Sequence, residues 1–226
     1  MKKHLLLIIT ALLPLNLAAT VATAAALPAF RDTSLPTERR VDDLLSRLTL
    51  EEKTLLCHGD TDGRAGGHFT GGGIARLNIP KIRFSDGRVG VRTFDKTTRT
   101  ALPSTLSLSC TWDRDASYDY ARVLAEEMLA SNRQVLFAPG TCLMRDPRGG
   151  RNFEYLGEDP FLCGALANEY VRALQDRRVA ACAALLVANE SELYRHFSIS
   201  NLSERTLREI YFRPYDMMAA SPTSGS

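Results

Sequence analysis

The sequence predicts an α/β fold organised around a parallel sheet, and three observations carry that reading. From Ile82 onward, short apolar strand segments alternate with longer helical ones. Val179–Val187 is a continuous run of small apolar residues, the pattern of a strand buried on both faces. A charged segment, Arg145–Pro160 (RDPRGGRNFEYLGEDP), lies between a strand and a helix. That is where α/β enzymes present side chains to small polar ligands. A barrel and a doubly wound layer both fit the alternation.

The elements follow in order. Leu27–Leu35 reads as an extended lead-in, and Pro36 opens a helix through Leu48 with Val41, Leu44, Leu45 and Leu48 on one face. Thr49 and Glu52 fit a capping box that starts a second short helix, closed near Gly59. The glycine-rich DGRAGGHFTGGG lacks both GxGxxG and a Walker lysine, so it reads as a flexible loop and not a phosphate cradle. Ile82–Phe84 is a short strand ending in Ser85-Asp86-Gly87, and Leu106–Leu108 a second one. Asp113–Ser131 is helical, with Ala121, Leu124, Met128 and Leu129 on its apolar side. Val135–Phe137 is a strand leading to Pro139-Gly140. Pro160–Leu174 is helical, with Leu162, Leu166, Tyr170 and Leu174 on one face. Ser203 caps a final helix, ERTLREIYF, which Pro214 ends or kinks. These four strands are too few to close an eight-stranded barrel of about 250 residues. A barrel reading therefore gives this chain about the first half of one, with a bare edge strand.

Charge and composition exclude several classes. Residues 1–26 have a basic tip, an apolar run and small residues before Ala24 and Ala26, the pattern of a cleaved secretory signal. Pro14 and Asn16 break the run short of the roughly 20 residues a membrane anchor needs. The expected destination is secreted or periplasmic, without stable membrane insertion. Lys2 and Lys3 carry the formal +2, so the remaining chain is near neutral, and arginine is balanced by acid throughout. No nucleic-acid partner is expected. Residues 27–220 are read as one domain and 221–226 as a polar tail. The five cysteines, Cys57, Cys110, Cys142, Cys163 and Cys182, match no metal-ligand spacing. Cys163 and Cys182 sit in apolar settings and read as small core residues. No metal and no cofactor is expected.

With no nucleophile elbow or HExxH, what remains is a set of carboxylates and arginines at strand ends. Asp86 can accept hydrogen bonds from two adjacent hydroxyls, as a sugar grip requires; it is equally readable as a turn former ahead of Gly87. Arg151 offers a rigid donor fork that Glu154 can orient, or the two form an internal loop salt bridge. Glu158-Asp159-Pro160 reads as a cap for the following helix.

Taken together, LTLEEKTLLCHG, GGIARLNIPKIRFSDG, VGVR, ALPSTLSLSCTWD, VLFAPG, RDPRGGRNFEYLGEDPFLCGALANEYVRALQ and LSERTLREIYFRPYD resemble the N-terminal domain of glycoside hydrolase family 3 over nearly all of Val41–Asp216. The resemblance implies a secreted (β/α)8 TIM-barrel enzyme. It would cleave terminal non-reducing β-D-glucosyl residues with retention, or xylosyl residues in a related branch, and need no cofactor. It matches Asp86, Arg151 and Glu154 to substrate-binding positions, with a β-linked oligosaccharide or glycoside as partner. Arg88 and Val89 depart from the family's Pro and His, and Ala184 and Leu185 stand at its Lys-His pair. The family's nucleophile, in an SDW-like segment, and its acid/base have no match, so no catalytic residue is assigned. The isolated chain is expected to be inactive, a non-catalytic sugar-binding or interaction remnant being the alternative; the remainder of the barrel is a candidate partner.

Overall fold

The computed structural model describes residues 27–61, 69–92 and 97–221. The signal segment expected over residues 1–26 and residues 222–226 of the polar tail lie outside the described residues. The chain divides into two compact units, Met1–Leu48 and Thr49–Ser226.

In the first unit, α1 (Thr37–Arg47) follows Pro36 as expected. Asp43 ties the helix to the lead-in. Its carboxylate accepts from the Phe30 N–H at 3.0 Å and pairs with Arg47 at 2.9 Å. Arg31 and Arg47 lie over the Phe30 ring, 5.1 and 5.9 Å from its centroid.

The second unit opens with α2 (Leu50–Leu56), held by the predicted capping box. The Thr49 hydroxyl accepts from the Glu52 N–H at 3.2 Å, and Glu52 accepts from the Thr49 N–H at 3.0 Å. Among the described residues five strands then form one sheet in chain order: β1 (Gly59–Thr61), β2 (Phe69–Gly71), β3 (Ile82–Asp86), β4 (Val135–Phe137) and β5 (Ala180–Ala181). β1, β2 and β3 pair antiparallel, whereas β3, β4 and β5 pair in parallel. The sheet is therefore mixed, not parallel throughout. The two crossovers run through α4 (Arg114–Ala130) and α5 (Pro160–Gln175), so β3-α4-β4-α5-β5 is the strand–helix repeat the sequence predicts.

The core sits where α4 and α5 cover these strands. Leu124, Met128, Leu136, Leu166, Tyr170 and Leu174 are fully buried in one cluster. Asp159 caps α5 as predicted, accepting from the Phe161 and Leu162 N–H groups, with Pro160 in the first turn. α7 (Arg213–Ala219) packs on α5 at Gly164, where an added Cβ would lie 2.5 Å from the Met217 sulfur.

Several expectations are corrected. Leu106–Leu108 is not a strand but part of α3 (Thr105–Ser109). The LSLS alternation mimics a two-residue period, but Ser104 accepts from the Ser107 N–H at 3.1 Å and starts a helical turn. The glycine-rich segment is strand at Phe69–Gly71, paired to β1; residues 62–68 lie outside the described residues. β3 continues through Asp86, two residues beyond the expected end. The Val179–Val187 strand shrinks to Ala180–Ala181 plus one bridge at Ala184, because β4 runs into Pro139, which has no N–H to extend the ladder. The helical stretch from Ser203 does end just before Pro214, at Tyr211 with a bend at Phe212, but a further helix follows. The capped turn α6 (Glu204–Thr206) widens through Leu207–Tyr211, and Pro214 lies in the first turn of α7, where its missing N–H has no helical acceptor to lose. Leu129 is exposed, lying off the face that α4 buries, and Cys182 is exposed at the end of the sheet. All five cysteines are unpaired. No helix among the described residues is long and apolar enough to cross a membrane.

Leu166→Ala should lower unfolding stability by about 2–5 kcal/mol, since a fully buried side chain leaves a cavity. Leu129→Ala should change it by less than about 0.5 kcal/mol. Denaturant unfolding of both variants checks this pair.

Candidate functional site

The carboxyl ends of the parallel strands converge on a cleft of about 820 Å³, within the size range of small-molecule sites. Asp86, Arg151 and Glu154, the three residues singled out in the sequence, all line it.

Asp86 is the last residue of β3, in register with Phe137 of β4. Its backbone carbonyl closes the following loop by accepting from the Arg92 N–H at 3.0 Å, and the Ser85 hydroxyl donates to the Arg92 carbonyl at 2.7 Å. The Asp86 carboxylate makes no hydrogen bond or ion pair with any described residue. It lines the cleft, and the turn is closed by its backbone, not its carboxylate.

That loop carries Arg88, which is only 6% exposed. Its carbonyl accepts from the Tyr120 hydroxyl of α4 at 3.0 Å and the Tyr170 hydroxyl of α5 at 3.5 Å. Its guanidinium pairs with Glu154, while its Nε is buried without a partner.

The charged segment is tied down by hydrogen bonds within it and to α3. Gly149 donates to the Asp146 carbonyl at 2.9 Å, and the Asn152 side-chain amide does so at 2.8 Å. Buried Thr105 of α3 donates to the Phe153 and Tyr155 carbonyls. Arg148 spends its charge on Asp146 at the surface, leaving Arg151 to turn inward. At Gly140, after β4, an added Cβ would lie 2.0 Å from the Glu154 carbonyl oxygen, so the backbones meet where no side chain fits.

Glu154 is the centre of the cluster. One carboxylate oxygen takes Arg151 and the other takes Arg88, both in charge-assisted bonds. Burial pushes its carboxyl up, but the hydrogen bond from Arg151 and the charge of Arg88 outweigh that and hold it below the usual range. Arg151 is raised chiefly by its bond to Glu154. Arg151 also lies 3.5 Å from Glu192, which accepts from Asn189 at 2.6 Å and Arg195 at 2.8 Å. Burial raises the Glu192 carboxyl, and Asn189 with the two arginines brings it below its ordinary value.

Arg88 and Glu192 are the members the sequence analysis did not assign. Arg88 stood out as a departure; nothing in ANESELYR marked Glu192. Ala184 and Leu185 line the same cleft with a methyl and an isobutyl group. Among the described residues no group of three His, Cys, Asp or Glu is arranged to hold a metal ion.

Comparison with known proteins decides the family. The model for the glycosyl hydrolase family 3 N-terminal domain matches residues 73–223. The chain belongs to glycosyl hydrolase family 3. It is 37% identical to a β-glucosidase of Bacteroides ovatus over 195 residues, covering 81% of this chain and 25% of that protein. To β-glucosidase B of Emericella nidulans it is 39% identical over 181 residues, covering 79% and 21%. Among solved structures, β-glucosidase 3B of Thermotoga neapolitana in complex with glucose superposes with a TM-score of 0.72 at 34% identity, covering 79% of this chain and 27% of that one. The chain thus spans about a quarter of the length of these family 3 relatives. Its fold is the family's TIM-barrel type, represented by a partial mixed sheet with helices.

Glu154→Ala should destabilise the chain by about 3–5 kcal/mol by stranding the buried Arg88 guanidinium, measured by denaturant unfolding. The pH dependence has a definite sign. Glu154 ionises at lower pH in the folded chain than in the unfolded one, so its contribution is present above the unfolded value near ~4.3 and fades as pH falls through the lower folded value. Thermal unfolding from pH 6 downward should show this loss in the parent chain and a shallower one in Glu154→Gln.

Proposed function

We propose that this chain forms the non-reducing-end sugar site of a β-glucosidase-like retaining glycoside hydrolase. Asp86 and Arg151 grip a terminal β-D-glucosyl group, and the isolated chain performs no useful turnover. The supporting observation is the pairing of an uncommitted carboxylate, Asp86, with a guanidinium held in place by Glu154, both on one cleft. A carboxylate accepts from two neighbouring hydroxyls, and a fixed guanidinium donates to ring oxygens, so together they fit a polyol ring. Glucose-bound relatives and the β-glucosidase names of the curated ones favour glucose over other sugars.

Retaining hydrolysis needs two carboxyl groups about 5–5.5 Å apart, one of them protonated at working pH. The cleft carries Asp86, Glu154 and Glu192. Glu154 and Glu192 are both held below the usual carboxylate range by arginines, so neither is a proton donor near neutrality. Glu190 is pushed up by burial, but it bonds Tyr211 and lines a smaller hollow beside the cleft. Binding without an acid is therefore the role this reading gives the chain. The basic-apolar-small start of the sequence supports export, to the periplasm or outside the cell.

Calorimetric titration with glucose should show binding that Asp86→Ala abolishes while the circular dichroism spectrum is retained. An aryl β-glucoside should release no nitrophenol above background. Release that depends on Asp86 would overturn the non-catalytic part of the proposal, and absence of heat with any monosaccharide would overturn the sugar site itself.

A further inference from the structure

The cleft is chemically divided. Asp86, Arg151 and the paired Arg88 and Glu154 give it a polar side, whereas Phe137, Ala183, Ala184 and Leu185 line it with hydrocarbon. The division extends to the backbone at the centre of the apolar wall. The Ala184 N–H donates to the Pro139 carbonyl at 2.9 Å, and the Ala184 carbonyl accepts from the Thr141 N–H at 2.8 Å. The Leu185 carbonyl is taken by the Tyr215 hydroxyl at 2.6 Å and the Cys142 thiol at 3.1 Å. Phe137 stacks on Phe84, with ring centroids 5.7 Å apart, which fixes its ring at the cleft floor. A hydroxyl pressed against Ala184 and Leu185 thus finds the Ala184 N–H and both carbonyls already engaged, and no side-chain partner from either residue. Such a group loses its water without replacement, a penalty that a hydrogen atom at the same carbon does not carry.

We infer that the cleft selects a deoxy sugar: a pyranose with adjacent hydroxyls for Asp86 and Arg151 and none on the edge facing Ala184 and Leu185. This rests on the sugar-site reading above and narrows it to a ligand class. The polar side supplies affinity for the hydroxylated edge, and the apolar wall supplies the discrimination.

The test is calorimetric titration of the whole chain with methyl β-D-glucopyranoside and its singly deoxygenated counterparts at each ring position. One deoxy sugar should bind about tenfold more tightly than the parent glucoside, the scale of discrimination one group supplies in such pockets. Leu185→Asn puts an amide on the wall and should erase that preference; Ala184→Ser does the same with a smaller change should the first variant fold poorly. Parent glucoside binding as tightly as every deoxy sugar overturns the inference and leaves the glucosyl site standing. A preference that survives both folded wall variants overturns the assignment to Ala184 and Leu185. No heat with any member of the series overturns the sugar site as well.

Discussion

Glu154 shares one carboxylate between Arg88 on the loop after β3 and Arg151 on the charged segment after β4. Without that anion the two guanidiniums brought together in this cleft would repel each other. The effect spreads outward from the pair. Arg151 reaches Glu192, and Glu192 holds Asn189 and Arg195 on the segment that follows β5. Tyr155, the residue after Glu154, is buried and donates its hydroxyl to the Asn189 carbonyl at 2.9 Å. Three chain segments, each leaving a different parallel strand, are thereby registered against one another by two acidic side chains, Glu154 and Glu192, with the Tyr155 hydroxyl.

The same arrangement limits the chemistry. A carboxyl that delivers a proton needs burial without a nearby cation, because burial favours its neutral form and a cation favours its charge. Glu154 has both influences, and the arginines win. The cluster is suited to grip and orientation. Asp86 is placed differently: strand geometry sets its backbone, and its carboxylate is left to the cleft.

Legibility in the sequence followed the range of the interactions. α2 and α5 were readable because their caps, Thr49 and Asp159, act within three residues, and α4 because its apolar residues recur at helical spacing. β4 was readable because a short apolar run ends at a proline. Leu106–Leu108 was not legible as helix because a short apolar run fits either element, and the Ser104 cap decides for the helix. The antiparallel β1–β2 pair escaped because glycines and polar residues carry little strand signal when backbone pairing alone defines the element. Asp86, Arg151 and Glu154 were found as a charged set at strand ends. Their connection through Arg88 was invisible, since it depends on a contact across 66 positions that no local pattern encodes.

The arginine pair also imposes an order on change. Arg88 is 6% exposed and its one ionic partner among the described residues is Glu154, whereas Glu154 retains Arg151 if Arg88 is replaced. A lineage can therefore shed Arg88 first and keep a working ion pair, but shedding Glu154 first leaves a cation sealed in protein. The cation at position 88 is the easier of the two to exchange, and the acid at 154 is the residue on which its neighbours' history waits.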